Sequence, residues 1–483
     1  MRKRPLILAV TLITLVLIIP SGSLDALTWR FRHSTRSTSN ASSSTTILAT
    51  TTTAAPTTVA PTTAAPTTTV APTTTTARPA TTTTAVPPSP GLPSLTSSVV
   101  STWTTPVSSL MRTDRDWASR LFKYGTLANA GVAGQWQTDF GFGASDYSIP
   151  VYDIAKVATT PRRIFKKSSF MGAWNIGNGS TIPWSDTFKP SDGSDGFMVV
   201  IDSRTGQEWD FWNVSFPGYS TATNNSAGCL SLDNIIGGFS VNTDVCAASA
   251  YIISSPNGQV ADFRTYAGNA PWASGSGLQN TAGLVTPDEV AAGTIKHAWK
   301  FMAGNTMFGP QCSDADAADS SKLGVTCGSA VAPAGQFERV SDTTGCFAGA
   351  CIDGANPTER RSHSVPEGTR FSLDVSDADI SNWLDSRGYT GRKRETARVM
   401  AVSLRDYGWL LTDTSGGPAF FQVSGARNPA TGTAWRNLGV DGTGNDLLLG
   451  LVTESRVVAY QPPSNTCGDN VVRKFFCWSW GSQ

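Results

Sequence analysis

Two carboxylates that stand two residues apart among tryptophans are the side chains best placed to do chemistry in this sequence. They lie in the segment Glu208-Trp209-Asp210-Phe211-Trp212. Alternate residues of a β-strand face the same side, so Glu208, Asp210 and Trp212 are predicted to share a face. Cleavage of a glycan needs an acid together with a base or nucleophile, and an aromatic ring can stack on a sugar. The alternative is an amphipathic strand with its aromatic residues in the core and its acids in water.

Three further residues are predicted to assist that pair or its substrate. His297 follows the alternation of an apolar run and is either an acid–base group or a hydrogen-bonded core residue. Asp413 ends a predicted strand and is either catalytic or a turn residue. Arg370 opens another predicted strand. We predict catalytic roles for Asp210, Glu208, His297 and Asp413, and substrate binding by Trp209, Trp212 and Arg370.

The other sequence motifs do not identify a particular reaction. The segment from Glu208 onward resembles the Glu-x-Asp-x-x-Glu strand of family-16 glucanases, but Asn213 stands where their second Glu, the acid/base, would be. The sequence has no Gly-x-Ser-x-Gly, His-Glu-x-x-His, Walker A or Rossmann fingerprint. The catalytic prediction therefore depends on the paired carboxylates alone.

No cofactor is expected from the sequence. Three acidic clusters contain oxygen ligands suited to Ca²⁺, but none has the glycine and the distal Glu of a complete calcium loop. These clusters are Asp192/Asp195, Asp314/Asp316/Asp319 and Asp441/Asn445/Asp446.

The N-terminus is predicted to direct export. A basic start, Met1–Arg4, precedes an apolar run from Leu6 to Ile19. That run is shorter than the ~20 residues that span a bilayer, and Pro20 follows it. It is typical of a signal peptide cleaved after Ser23, and the alternative is an uncleaved anchor. We expect a secreted protein, or one held to the membrane by residues 6–19 alone.

A spacer rich in Thr, Ala and Pro follows, at residues 24–100. It contains almost no charge and few large apolar side chains between Thr45 and Ala85. Such a segment cannot bury enough apolar surface to offset its conformational entropy, so we predict a disordered stalk. A folded head is predicted at residues 101–483.

The charge balance excludes one class of partner. The chain has 37 Lys and Arg against 36 Asp and Glu. Nucleic-acid binding needs a surplus of basic residues to neutralise phosphates, so no nucleic-acid partner is expected.

The cysteines indicate an oxidising compartment. All 8 lie in the predicted head, and an even number in an exported chain is typical of disulfides. Neighbour pairing is the simplest prediction: Cys229–Cys246, Cys312–Cys327, Cys346–Cys351 and Cys467–Cys477.

The pattern of the head is mainly β. Short apolar or alternating runs are separated by Gly, Asn, Asp, Ser and Pro. They include Phe197–Ile201, Glu208–Val214, Tyr251–Ser254, Thr294–Met302, Arg370–Val375 and Trp409–Thr412. Helical spacing indicates a helix around Ala397–Leu404, stopped by Gly408, and a weaker one at Ala378–Leu384. We predict a jelly-roll-like β-sandwich with a few helices.

The region from Gly193 to Phe421 resembles a family of secreted, β-rich actinobacterial-type proteins with no assigned activity. The matching segments are Gly193–Asp202, Trp209–Trp212, Thr281–Phe301, Pro366–Leu373 and Ala397–Asp413. The resemblance implies a secreted β-rich domain, often found near carbohydrate-active modules.

Together these features predict an extracellular protein that acts on polysaccharide or cell-wall glycan as a hydrolase or lyase. The alternatives are a non-catalytic glycan-binding or adhesive module and a structural wall-associated protein.

Overall fold

The structure is a computed structural model that describes most of the predicted head. The described residues are 102–122, 140–145, 147–167, 176–192, 195–219, 227–254, 274–334, 346–347, 350–351, 357–415, 419–441 and 447–462. The predicted signal segment and stalk lie outside them. Within these ranges, no helix is long and apolar enough to cross a membrane.

Fifteen strands lie in the described residues. They are β1 (Gly141–Gly143), β2 (Val151–Asp153), β3 (Thr160–Lys166), β4 (Thr181–Trp184), β5 (Met198–Asp202), β6 (Gln207–Trp212), β7 (Val245–Ala247), β8 (Ser249–Ser254), β9 (Trp299–Ala303), β10 (Cys346–Phe347), β11 (Ala350–Cys351), β12 (Arg370–Leu373), β13 (Trp409–Thr414), β14 (Phe420–Gln422) and β15 (Val457–Ala459).

Eight short α-helices accompany them in the same ranges. They are α1 (Trp117–Phe122), α2 (Leu232–Ile236), α3 (Pro287–Ala291), α4 (Asp314–Ala318), α5 (Pro357–Ser362), α6 (Asp377–Ser386), α7 (Gly391–Asp406) and α8 (Pro429–Asn437).

Thirteen of the strands form three mixed sheets. A six-stranded sheet has the order β1-β14-β9-β13-β12-β15, a four-stranded sheet β2-β5-β6-β8, and a three-stranded sheet β4-β3-β7. Parallel pairs occur in each, such as β9 with β13 and β2 with β5. The prediction of a sheet-rich fold with a few helices is therefore confirmed, and the jelly-roll-like sandwich stays a prediction.

The largest apolar core lies around the six-stranded sheet and its helices. Trp299, Phe301, Trp409 and Phe421 from three adjacent strands are fully buried there, with rings in edge or tilted contact. Burial of such rings contributes roughly 2–3 kcal/mol each relative to exposure. These strands consequently provide a rigid frame for any polar side chain that they carry.

Helix α7 follows the predicted spacing, because its apolar residues Ala397, Met400, Ala401 and Leu404 are buried against this core. Gly408 ends it at φ +64°, and a Cβ there would lie 1.8 Å from the main-chain oxygen of Phe371. Only glycine fits that position, so the prediction of a stop at Gly408 is confirmed.

A second apolar core lies on one face of the four-stranded sheet. Trp209 and Phe211 of β6 pack there, with Trp184 edge-on to Phe211 at 5.7 Å between ring centroids. The alternation predicted for β6 is therefore confirmed. The expectation that the acids on its other face lie in water is wrong, since Glu208 and Asp210 are 4% and 2% exposed.

Two of the predicted disulfides are formed among the described residues. Cys229–Cys246 and Cys312–Cys327 are bonded, with Cα–Cα distances of 6.3 and 4.9 Å. Such bonds are typical of proteins in an oxidising environment. Cys346 and Cys351 are opposite each other in the β10–β11 backbone pairing, and Cys467–Cys477 lies outside the described residues.

Candidate functional site

The two acids of β6 face the segment that precedes β9. Glu208 Oε2 accepts hydrogen bonds from Gln279 Nε2 and Thr281 Oγ1, both at 2.6 Å. Asp210 Oδ2 accepts one from the main-chain nitrogen of Asn280 at 3.3 Å. Because β6 is an inner strand, paired with β5 and β8, its backbone position is fixed on both sides.

Two residues of the six-stranded sheet, Lys300 and Asp413, lie near the acids of β6. Lys300 on β9 is completely buried, and its Nζ donates to Asn280 Oδ1 at 2.8 Å. Asp413 on β13 follows a shift in the pairing register with β9, and its Oδ1 accepts from the main-chain nitrogen of Gly275 at 3.2 Å. We call Glu208, Asp210, Lys300 and Asp413 the carboxylate–lysine cluster.

The electrostatics of this cluster favour fewer charges than its residues could carry. Burial, together with the negative charge of Glu208, raises the pKa of Asp210 well above its ordinary value. Burial lowers the pKa of Lys300 to about 8, although the charges of Asp413, Asp210 and Glu208 oppose that shift. A protonated carboxyl and a readily deprotonated amine thus lie together, which suits proton transfer.

The cluster is nevertheless enclosed by protein. Its four side chains belong to residues that are 0–7% exposed. The acids of β6 are covered by residues 279–281. Gln279, Asn280 and Thr281 donate hydrogen bonds to the carboxylate oxygens of Glu208 and Asp210. Among the described residues, the donors to these acids include side chains and main-chain nitrogens of residues 279–281.

His297 does not join the cluster. It lies before β9, which begins only at Trp299, so the predicted strand from Thr294 is wrong at its start. Its Nδ1 donates to the main-chain oxygen of Ala298 at 2.8 Å, and its Nε2 lies 3.0 Å from Glu289 Oε1. Burial lowers the pKa of His297, but the charge and hydrogen bond of Glu289 outweigh that effect and raise it. The hydrogen bond between His297 and Glu289 thus connects α3 to the segment just before β9.

Helix α3 explains why Glu289 is available to His297. Thr286 caps the helix by accepting from the main-chain nitrogen of Glu289, whose own side chain returns to the Thr286 nitrogen at 3.0 Å. These two bonds form a capping box, which fixes the carboxylate beside the imidazole.

Arg370 binds main-chain oxygens within the protein. Its guanidinium donates to the carbonyls of Tyr407, Thr102 and Thr105 at 2.7, 2.6 and 2.9 Å. It therefore fastens the start of the described head to β12 and the end of α7.

The two tryptophans predicted to bind sugar point into different environments. Trp209 is 6% exposed and belongs to the second apolar core. Trp212 is half-buried and packs against a small cluster that contains Phe197 and Ile201. They do not form a common exposed aromatic strip.

An aromatic pocket that the sequence analysis missed lies just after β6. It has a volume of about 230 Å³. We call it the aromatic pocket, and its lining residues are Ser215, Phe216, Pro217, Gly218, Tyr219, Phe239, Val241, Asp244 and Cys246.

A tight turn builds one wall of this pocket. Phe216 and Tyr219 exchange main-chain hydrogen bonds of 3.2 and 2.9 Å across Pro217 and Gly218. Proline before a glycine at φ +81° is the arrangement of a type II turn. It stacks the two rings at 5.2 Å between centroids and 14° between planes. The Pro-Gly dipeptide was the signal that could have located it.

Polar groups accompany those rings. Ser215 is 2% exposed, and its Oγ has no hydrogen-bond partner among the described residues. The Asp244 carboxylate is held by Arg163 at 2.7 Å and by the main-chain nitrogen of Ser240 at 2.8 Å. The Cys229–Cys246 disulfide connects the pocket to the segment before α2.

Within the described ranges, no group of three or more His, Cys, Asp or Glu residues is arranged to hold a metal ion. In the acidic clusters considered for Ca²⁺, Asp192 pairs with Arg427, Asp316 accepts from Ser313, and Asp319 accepts from Ser321. Asn445 and Asp446 lie outside the part of the chain that the structure describes.

Comparisons with known proteins add no relative, since no protein-family model, no curated protein and no solved structure matches this chain. The resemblance to secreted actinobacterial-type proteins stays a prediction, and function has to be inferred from the two sites themselves.

Proposed function

We propose that this protein is an exported, surface-displayed module that binds polysaccharide at the aromatic pocket and does not cleave it. The observation that carries the proposal is the combination, in one pocket, of stacked rings, a buried hydroxyl with no hydrogen-bond partner in the described part of the chain, and a fixed carboxylate. Rings pack on the C–H faces of sugars, and hydroxyl and carboxylate oxygens bind their OH groups.

Export is part of this proposal. The predicted leader, the Thr/Pro-rich stalk and the paired cysteines support a head that is held away from a cell surface. A polysaccharide of the wall or the surroundings is the ligand class that such a position makes accessible.

A hydrolase or lyase is the second candidate, favoured by one observation. Asp210 has the raised pKa of a general acid and lies beside a second carboxylate. Against it stands the burial of every member of the carboxylate–lysine cluster.

The experiment is a panel of insoluble and soluble polysaccharides, each assayed for co-sedimentation of the full chain and for release of reducing ends. We expect binding to at least one polysaccharide and no release. Tyr219→Ala is expected to weaken that binding about tenfold, the contribution of one stacked ring, while Tyr219→Phe retains most of it.

Tyr389→Ala is the matched control, since Tyr389 is a buried ring in edge contact with Trp383, in the first core. Binding that is equally lost in both variants, or unchanged in Tyr219→Ala, would contradict the proposal. Reducing ends released by the wild type and not by Asp210→Asn would instead establish the hydrolase.

A further inference from the structure

A lysine and an asparagine lie in direct contact inside the carboxylate–lysine cluster. Lys300 is 0% exposed and Asn280 is 2% exposed. The Lys300 Nζ lies 2.8 Å from Asn280 Oδ1, which is one C=O bond away from the amide carbon. This contact holds the amine next to the amide group, and holding reacting groups together is a large source of rate in intramolecular reactions.

A carboxyl group contacts the backbone of the same asparagine. Asp210 Oδ2 accepts a hydrogen bond from the main-chain nitrogen of Asn280, and the Asp210 carboxyl is also hydrogen-bonded to Glu208. The charges that act on Lys300 come from Asp210 and Glu208 on β6 and from Asp413 on β13. Asp210 thus contacts the backbone of Asn280 and acts on Lys300 through its charge, so it lies next to both residues of the pair.

The protonation states also suit a reaction. Burial lowers the pKa of Lys300 to about 8, so part of the population has the neutral amine that can act as a nucleophile. Burial and the charge of Glu208 raise the pKa of Asp210, so that its carboxyl carries a proton to donate. The low exposure of these residues keeps water, the competing nucleophile, away from the amide.

We propose that Lys300 and Asn280 join in an intramolecular isopeptide bond, with Asp210 as the group that transfers the proton. Nζ of the neutral amine attacks Cγ of Asn280 and forms the new C–N bond. The Asp210 carboxyl donates its proton to Nδ2, the Cγ–Nδ2 bond breaks, and ammonia leaves. The Asp210 carboxylate takes back a proton from Nζ. One amine and one primary amide thus give one secondary amide and one ammonia, with no oxidant or reductant.

A second buried lysine–asparagine pair provides an internal comparison. Lys167 is 2% exposed and donates to Asn213 Oδ1 at 2.5 Å, and burial lowers its pKa to about 8. The main-chain nitrogen of Asn213, however, donates to the main-chain oxygen of Asp195 and not to a carboxylate. Contact and desolvation are thus common to both pairs, whereas the main-chain nitrogen of the asparagine donates to a carboxylate only in the Lys300 pair.

The bond has a consequence for the fold. It would connect β9 of the six-stranded sheet to the segment that covers the acids of β6. The covalent link would close a loop of about 20 residues, which constrains the unfolded chain as a disulfide of that span does.

The test is a peptide map of the full chain, purified in folded form, then reduced, alkylated and digested with trypsin. The bond joins peptide 265–296, which contains Asn280, to peptide 297–322, in which the modified Lys300 resists cleavage. We expect this branched species, lighter by one ammonia than the sum of its two peptides, and no separate peptide that begins at Phe301.

Three variants define the residues required. Lys300→Arg, which keeps a cation, and Asp210→Asn, which keeps the size of the side chain, are both expected to give the linear peptides. Lys167→Arg is the matched control and is expected to retain the branched species. Linear peptide 265–296 from wild-type protein that unfolds cooperatively would overturn the proposal, as would a branched species that persists in Asp210→Asn.

Discussion

The carboxylate–lysine cluster and the aromatic pocket lie close together in the sequence but differ in almost every physical respect. The cluster combines two acids of β6 with a lysine of β9 and an acid of β13, and all four residues are buried. The pocket begins three residues after β6, at Ser215, and includes Val241, which is 46% exposed. The residues that resemble an active site are thus enclosed, and the rings that could meet a ligand are near the surface.

This difference shows that residue type alone does not identify a functional site. Buried acids shift their pKa values because they are desolvated, whether or not a substrate reaches them. A ligand can instead satisfy a polar group of a pocket, such as Ser215 Oγ, which has no hydrogen-bond partner among the described residues.

The largest expected effect is on polysaccharide binding and stability when each of the two disulfides is removed in turn. Replacing Cys229 and Cys246 by serine is expected to lower the free energy of unfolding by about 3 kcal/mol and to abolish polysaccharide binding, because Cys246 lines the pocket. Replacing Cys312 and Cys327 by serine should cost a similar amount and leave binding intact. Urea denaturation and co-sedimentation measure the two effects, and loss of binding in both variants would contradict a local role for the first disulfide.

The next largest effect is on the free energy of unfolding and comes from the buried pair of His297 and Glu289. His297→Gln is expected to cost about 2 kcal/mol, since it removes a charge-assisted hydrogen bond from a buried site. The measurement is the free energy of unfolding from urea titrations across pH, for wild type and variant.

The pH dependence of that cost has a defined sign. The pKa of His297 is raised, so its stabilisation is complete below its ordinary pKa of 6.5 and is lost as the pH rises through the folded-state value. The pKa of Glu289 is lowered, because the charge and hydrogen bond of His297 outweigh the effect of burial. Its stabilisation is complete above 4.5 and is lost as the pH falls. The difference between wild type and variant should therefore be greatest between about pH 4.5 and 6.5, and a flat difference would refute the ion pair.

A smaller effect tests the turn in the pocket wall. Gly218→Ala places a Cβ at φ +81° in open space, so it should cost about 1 kcal/mol through backbone strain and misalign the stacked rings. Gly293→Ala is the matched control, since Gly293 has φ +79° and equally open surroundings outside the pocket. Equal stability loss with weaker binding only in Gly218→Ala is the expected result. Equal binding in the two variants would mean that the turn does not shape the ligand site.

The sequence predicted the local structure well where one strong pattern decided it. The alternation of Trp209 and Phe211 placed both in the core, and the spacing of Ala397, Met400 and Leu404 predicted α7. The short sequence spacing of Cys229 and Cys246 predicted their bond. In each case the interaction that forms the element is local or repeats along it.

Prediction was weaker where distant segments decide the outcome. Nothing near Glu208 and Asp210 in the sequence indicates that residues 279–281 will cover them, so their burial was missed. His297 followed a strand-like alternation, but its bond to Glu289 and the contact of Ala298 with Trp103 place it before the strand. The partners of Lys300 come from two sheets, which no spacing in the sequence specifies.

The most direct test of the central claim compares two variants on one bound polysaccharide. Affinity electrophoresis of wild type, Tyr219→Ala and Asp210→Asn in gels that contain it reports binding without requiring catalysis. We predict that Asp210→Asn is retarded like the wild type and that Tyr219→Ala is retarded much less than either, in line with about tenfold weaker binding. Retardation lost in Asp210→Asn and kept in Tyr219→Ala, in proteins that both fold, would place the ligand at the carboxylate–lysine cluster and contradict the claim.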